Sequence, residues 1–234
     1  MRTHLNSAAY PAMAAAIEYA ALGIAVVQSH WPTAPAGQPH HTSSLVVCSC
    51  GHADCPTPAA HPVTSIDDAT VNIAQVIGRW SVHPHANVAT PAGISFDVLE
   101  CRDNQTLDRL AEHELEPGPI IDLGDGRLRF PVRASLSDGP RASATRHGAA
   151  CCLDAGTLVL LPPSRLVDGC EITWLCPFDD RVVLLPERDQ LLDALLQLPS
   201  TRRLDEPPVE AVTCEQASGL GHQSAAPTGG AAHA

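Results

Sequence analysis

Residues 29–62 limit the fold of this chain more than any other part of it. The segment is rich in proline, histidine and cysteine and has neither helical nor strand periodicity. A structureless loop of that length is uncommon inside a compact domain, so something has to order it. Within it lies CSCGHADC, Cys48 to Cys55, followed by His61 and Pro62. Cys48, Cys50, Cys55 and His61 offer four zinc donors at the spacing C-x-C-x4-C-x5-H, and Gly51 permits a tight turn. His52 competes for the fourth position. The alternative is an ordered loop with free thiols and no metal. A disulfide fragment fits less well, because nine cysteines is an odd number. If zinc binds, four protein ligands leave no open coordination position. The metal is then structural, and its binding energy becomes folding energy.

The rest of the chain supplies a core. Apolar residues make up 44% of it but aromatics only 3%, so that core is built mostly from Ala, Val, Leu and Ile. The Ala-rich N-terminal stretch is interrupted by Glu18, and Arg2 is its one flanking charge. It reads as a helix entering a strand rather than a signal peptide. No run of about 18 uninterrupted apolar residues occurs, so no membrane span is expected. The expected location is cytoplasmic. A net charge of −12 argues against a broad electropositive nucleic-acid surface. Arg127, Arg129, Arg133, Arg141 and Arg146 form a local basic run, which reads first as a solvated face.

Helices are expected over 11–22, 65–80, 106–115 and 187–198, the second opened by the S-x-x-D capping pattern of Ser65 and Asp68. Strands are expected over 24–28, 86–90, 94–101, 119–123, 127–132, 170–175 and 182–186, with further strand content in 151–163. Gly124-Asp125-Gly126 forms a hairpin turn between two of them. This irregular mixture predicts an α+β fold with a largely antiparallel or mixed sheet. Residues 1–200 are expected to form one domain with 29–62 inserted in it. The Pro-, Gly-, Ala- and acid-rich residues 201–234 read as a disordered tail.

Taken in order, ALGIAVVQSHWP, CSCGHADC with His61-Pro62, the helix ending at Trp80, HPHANVATPAG, SFDVLE, GDGRLRF, VLLPPSRLVDG and EITWL resemble a known family. The set is similar to the N-terminal domain of bifunctional DNA primase/polymerases, in the form common in actinobacterial proteins. The resemblance covers residues 11–198. It implies a primase-polymerase fold with an RRM-like sheet, flanking helices and an inserted zinc-binding segment. It also implies nucleotide and single-stranded DNA as ligands, and Mg or Mn for catalysis.

Members that catalyse nucleotidyl transfer carry two acids at i, i+2 on a strand, where alternation puts both on one face to hold divalent metal. Asp97 and Glu100 are the candidates here, but they stand three apart and point to opposite faces of a regular strand. Two positions beyond Glu100 stands Arg102, and two beyond Asp97 stands Leu99. The family's nucleotide-contacting histidine falls at Arg127, and Asn87 matches a position beside the active site. Asp154 is the one acid near the third expected position. The plainer readings are an exposed or capped strand residue for Asp97, a solvated strand-edge carboxylate for Glu100 and a turn residue for Asn87. Two functions follow as expectations. One is a primase/polymerase-like protein of replication or mobile elements with weak or lost catalysis. The other is a non-catalytic module that binds a nucleotide, single-stranded DNA or a protein partner.

Overall fold

The computed structural model describes residues 10–35, 46–102, 106–112, 118–134, 146–147, 150–178 and 185–196. All fall within one unit, Met1–Pro199. The expected tail 201–234 and most of the expected strand at 182–186 lie outside the described residues.

Every strand pair described is antiparallel, and the fold is α+β. A small sheet has β4 (Asn87–Pro91) between β1 (Val27–Ser29) and β10 (Leu158–Leu161). A two-stranded ribbon pairs β2 (Pro32–Thr33) with β3 (Val47–Cys48). The largest sheet has six strands. Its order is β11 (Thr173–Cys176), β6 (Ile120–Asp122), β7 (Leu128–Val132), β5 (Asp97–Cys101), β9 (Ala150–Cys152) and β8 (Arg146–His147). The β6–β7 hairpin turns where expected, with Gly124 and Gly126 at φ 75° and 81°, a region that glycine enters without steric cost.

Alternation along β5 sorts the two faces of the large sheet. Leu99 and Cys101 join Phe130, Val132 and Ile120 in a core closed by Leu110 of α3 (Thr106–Glu112) and by Leu191 and Leu195 of α4 (Arg188–Leu196). Val98 points the other way. With Phe96 and Ile121 it joins the small sheet, α1 (Pro11–Ala21) and α2 (Ile73–Val82) in the main core. Trp80 is fully buried there and donates its indole N–H to the Ala86 carbonyl. No helix among the described residues is long and apolar enough to cross a membrane.

Three expectations are displaced. Ser65 and Asp68 do form a reciprocal capping box, but it closes a single 3-10 turn, Ile66–Asp68. The α-helix starts later, where the Asn72 side chain accepts from the backbone N–H groups of Ala74 and Gln75. The first strand begins at Val27 because Val26 exchanges backbone hydrogen bonds with Thr70 instead. The strand content of 151–163 divides between the two main sheets, β9 in one and β10 in the other.

Candidate metal centre and the charged end of the large sheet

Backbone hydrogen bonds fold residues 46–63 against β1. Pairing of β2 with β3 sets Cys48 opposite Pro32, and the Ser49 N–H donates to the Trp31 carbonyl. The Gly51 N–H returns to the Cys48 carbonyl at 3.1 Å, with Gly51 at φ 76°. This turn brings Cys50 back beside Cys48. Farther on, the His30 N–H donates to the His61 carbonyl and the Val63 N–H to that of Gln28. The sequence between is held by Ala59, a fully buried non-glycine residue at φ 61°. Its N–H donates to Cys48 Sγ at 3.2 Å. Its carbonyl accepts from Ser29 Oγ at 3.1 Å. A left-handed alanine costs roughly 1–2 kcal/mol, and these contacts hold it there.

The outcome is a convergent donor set. One ligand atom from each of Cys48, Cys50, Cys55 and His61 lies within 4.8 Å of all the others. Cys48 Sγ and His61 Nε2 are 3.4 Å apart. In a tetrahedral zinc shell neighbouring donors stand about 3.7 Å apart, so a small contraction of this set would enclose an ion. The donor chemistry fits as well, three sulfurs and an imidazole. A hydrogen bond from the His52 backbone lowers the Cys50 thiol below its ordinary pKa, whereas loss of hydration raises that of Cys55, so thiol acidity does not by itself favour the donor set. His61, not His52, takes the fourth position; the His52 side chain is exposed at the rim. The cluster could therefore hold a metal such as zinc. His30 packs its ring 4.3 Å from that of His61 and bonds Ser49 Oγ at 2.8 Å. Burial and the neighbouring His61 hold the His30 pKa below its usual value.

Asn87 ties this segment to the sheets. It is buried, and its Nδ2 lies within hydrogen-bond distance of the carbonyls of His30, Ala59 and Arg165. Its Oδ1 accepts from the Arg165 N–H. The side-chain amide is thus committed to backbone on three separate stretches. The family resemblance implies a place beside an active site for Asn87, and no local sequence pattern signals these bonds.

At the other candidate site the acids part. Asp97 and Glu100 fall on opposite faces of β5, as their spacing requires. Asp97 lies on the α4 side, close enough to Cys152 and Arg188 to influence both. Glu100 is 4% exposed rather than solvated. It stands directly across from Arg129 on β7, whose Nε and Nη2 both reach its Oε2, at 3.0 and 2.9 Å. The other oxygen, Oε1, faces Arg127 Nη1 at 3.5 Å and Arg102 Nε at 3.7 Å. Arg127 is gripped in turn by Asp125 of the hairpin turn, at 2.6 Å from Nη2 and 2.7 Å from Nε. Burial raises the Asp125 pKa, but the bond and charge of Arg127 outweigh it and leave the carboxyl below its ordinary value.

Among the described residues, the Cys48 cluster is the one group of three or more His, Cys, Asp or Glu side chains placed to share a metal. Asp154 begins the turn between β9 and β10, where its carbonyl accepts from the Thr157 N–H. The basic run is broken up. Arg127 and Arg129 engage Glu100, Arg133 pairs with Glu187 at the start of α4, and Arg141 lies outside the described residues. The pairing of Arg129 with Glu100 was missed in the sequence. Its only trace there was the Gly124–Gly126 hairpin, which fixes β7 next to β6 but not next to β5.

No match to the chain was found among curated proteins or among solved structures. One family model does match, described as bifunctional DNA primase/polymerase, N-terminal, over residues 16–188. That span takes in the Cys3His cluster, the β5 acids and the hairpin arginines, and it covers well over half of the sequence. The chain therefore belongs to the bifunctional DNA primase/polymerase N-terminal family.

Proposed function

We propose that this is a primase-polymerase domain whose two-metal synthesis centre no longer assembles, and whose Cys3His loop holds one structural zinc. One observation carries the reading. Glu100 is enclosed by Arg102, Arg127 and Arg129, while Asp97 lies on the opposite face of the same strand. Nucleotidyl transfer needs paired carboxylates to hold Mg or Mn against the triphosphate. A single carboxylate already neutralised by guanidinium groups offers a divalent cation no net attraction. The antiparallel six-stranded sheet with α3 and α4 packed on one face supports an RRM-like reading of this region. Zinc in the Cys48 cluster would brace the fold rather than react, since all four positions are filled by protein.

Primer extension tests the reading. The purified protein, given a primed template, deoxynucleotides and either Mg or Mn, should add nothing above background. Template-dependent incorporation that disappears in Asp97→Asn or Glu100→Gln would overturn it.

A further inference from the structure

The three sulfurs of the loop cluster are not equivalent. Cys48 is 3% exposed, and its Sγ accepts the Ala59 N–H and lies 3.4 Å from His61 Nε2. Cys50 and Cys55 are half-buried, and together with His52, Asp54 and His61 they line an open cavity of about 560 Å³. Cys48 does not line it. A small oxidant arriving from water therefore meets two of the sulfurs and not the third. Those two are also the pair best placed to join. Their Sγ atoms lie within 4.8 Å of each other, and a disulfide brings sulfurs to about 2.05 Å. Between them stands Gly51 at φ 76°, with no atom within 4 Å of where a Cβ would be, so the turn has room to tighten. Joining Cys48 to either neighbour would instead pull a buried sulfur away from the Ala59 N–H that holds it.

We propose that Cys50 and Cys55 are an oxidation site, converted by hydrogen peroxide to a reversible disulfide while Cys48 remains a thiol. Sulfurs that serve as metal ligands are held as thiolates, the form that attacks peroxide. One thiolate attacks a peroxide oxygen; the O–O bond breaks, leaving a sulfenic acid on that sulfur and a hydroxide in solution. The second thiolate attacks the sulfenic sulfur, forms the S–S bond and expels another hydroxide. The two sulfurs have then lost two electrons, the peroxide has gained them, and solvent protons turn both hydroxides to water. Only Cys48 and His61 remain as donors, too few for a closed tetrahedral shell, and the metal is lost. Oxidation thereby removes the brace of residues 46–63, since metal binding energy is folding energy. The inference rests on the reading that this loop holds a structural zinc, but the two fail separately. Zinc content before oxidation tests the reading, whereas the labelling pattern below decides the inference.

The test is differential thiol labelling of the full chain, purified without chelator and treated with a small excess of hydrogen peroxide near neutral pH. Surviving thiols are capped with one alkylating reagent in denaturant. After reduction, the newly freed thiols are capped with an isotopically distinct one. Proteolysis before Asp54 separates Cys55 from Cys48 and Cys50, and fragment masses then separate Cys48 from Cys50. The second label is expected in equal amounts at Cys50 and Cys55. Cys48 should carry the first, and so should Cys176, an exposed cysteine on β11 that reports general oxidation. Free zinc, read with a chromogenic chelator against an untreated control, should rise in step with the second label to about one equivalent. A thiol reductant with added zinc should restore both. Second label at Cys48, oxidation of Cys176 to the same extent as the pair, or sulfinic and sulfonic acids at Cys50 in place of a reducible bond would overturn the inference. So would cluster thiols that all take the first label, or a linked pair that leaves bound zinc in place.

Discussion

The Cys3His loop and the charged end of β5 and β7 are both polar clusters set against one fold, yet they are built in opposite ways. In the loop, four donors come from a short stretch of chain, steered together by the Ser49, Gly51 and Ala59 N–H groups, which donate, and the His61 carbonyl, which accepts. At the sheet end, the carboxylate comes from one strand and its partners from another, and only strand register makes them meet. The loop gathers soft donors that repel one another once ionised and so call for a cation. The sheet end has its cation charge already built in, as arginine. Two clusters of similar size thus differ in the charge they offer a metal, donors that could hold one in the loop and guanidinium groups at the sheet end.

The largest effect should come from attacking the loop. Cys48→Ser removes a buried thiol of the candidate donor set, one that also accepts the Ala59 N–H. Zinc is expected at one equivalent in the unchanged protein purified without chelator and should fall to a trace in the variant. Because structural zinc contributes several kcal/mol to folding, the Tm should drop by roughly 10 °C. Absence of zinc in the unchanged protein, or a Tm that does not move, would erase the contrast between the two regions.

A smaller loss should follow at the sheet end. Arg129→Ala leaves Glu100 buried with only the two looser guanidinium groups near it. Removing one partner of a buried ion pair typically costs about 3 kcal/mol, measurable as a lower urea midpoint at unchanged slope. Zinc content should stay the same. If zinc were lost as well, the two clusters would be one cooperative unit.

The smallest effect belongs to Asp125, which is partly exposed and bonded to Arg127. Asp125→Asn should cost no more than about 1 kcal/mol near neutral pH. The folded Asp125 carboxyl titrates below its ordinary 3.8. Its contribution is therefore complete above that value and is lost as pH falls through the lower folded one. Denaturation of both proteins across the acid range should show their difference closing below about pH 4. A gap that persisted there would assign the effect to something other than the carboxylate charge.

Much of this was legible in the chain itself. The spacing C-x-C-x4-C-x5-H pointed to the side chains that converge, with His52 left open against His61, because groups close in sequence can be brought together by local turns. The hairpin at Gly124–Gly126 was legible for the same reason. Alternation alone placed Asp97 and Glu100 on opposite faces, since strand side chains have a period of two wherever the strand is paired. What was not legible had a different origin. Nothing local distinguishes a capping box that opens a long helix from one that closes a 3-10 turn, and the Thr70 pairing with Val26 decided that case.

Glu100 and Asn87 mark the boundary most clearly. Their residue types and strand positions were set by the sequence, and with them the exclusion of an i, i+2 acid pair. Their roles were set by tertiary structure. Register between β5 and β7 buried Glu100 against Arg129, and three stretches distant in sequence, at His30, Ala59 and Arg165, each brought a carbonyl to the Asn87 amide. A buried charge or amide takes its character from whichever partners replace water. Those partners lie tens of residues away in sequence, where no local pattern can specify them.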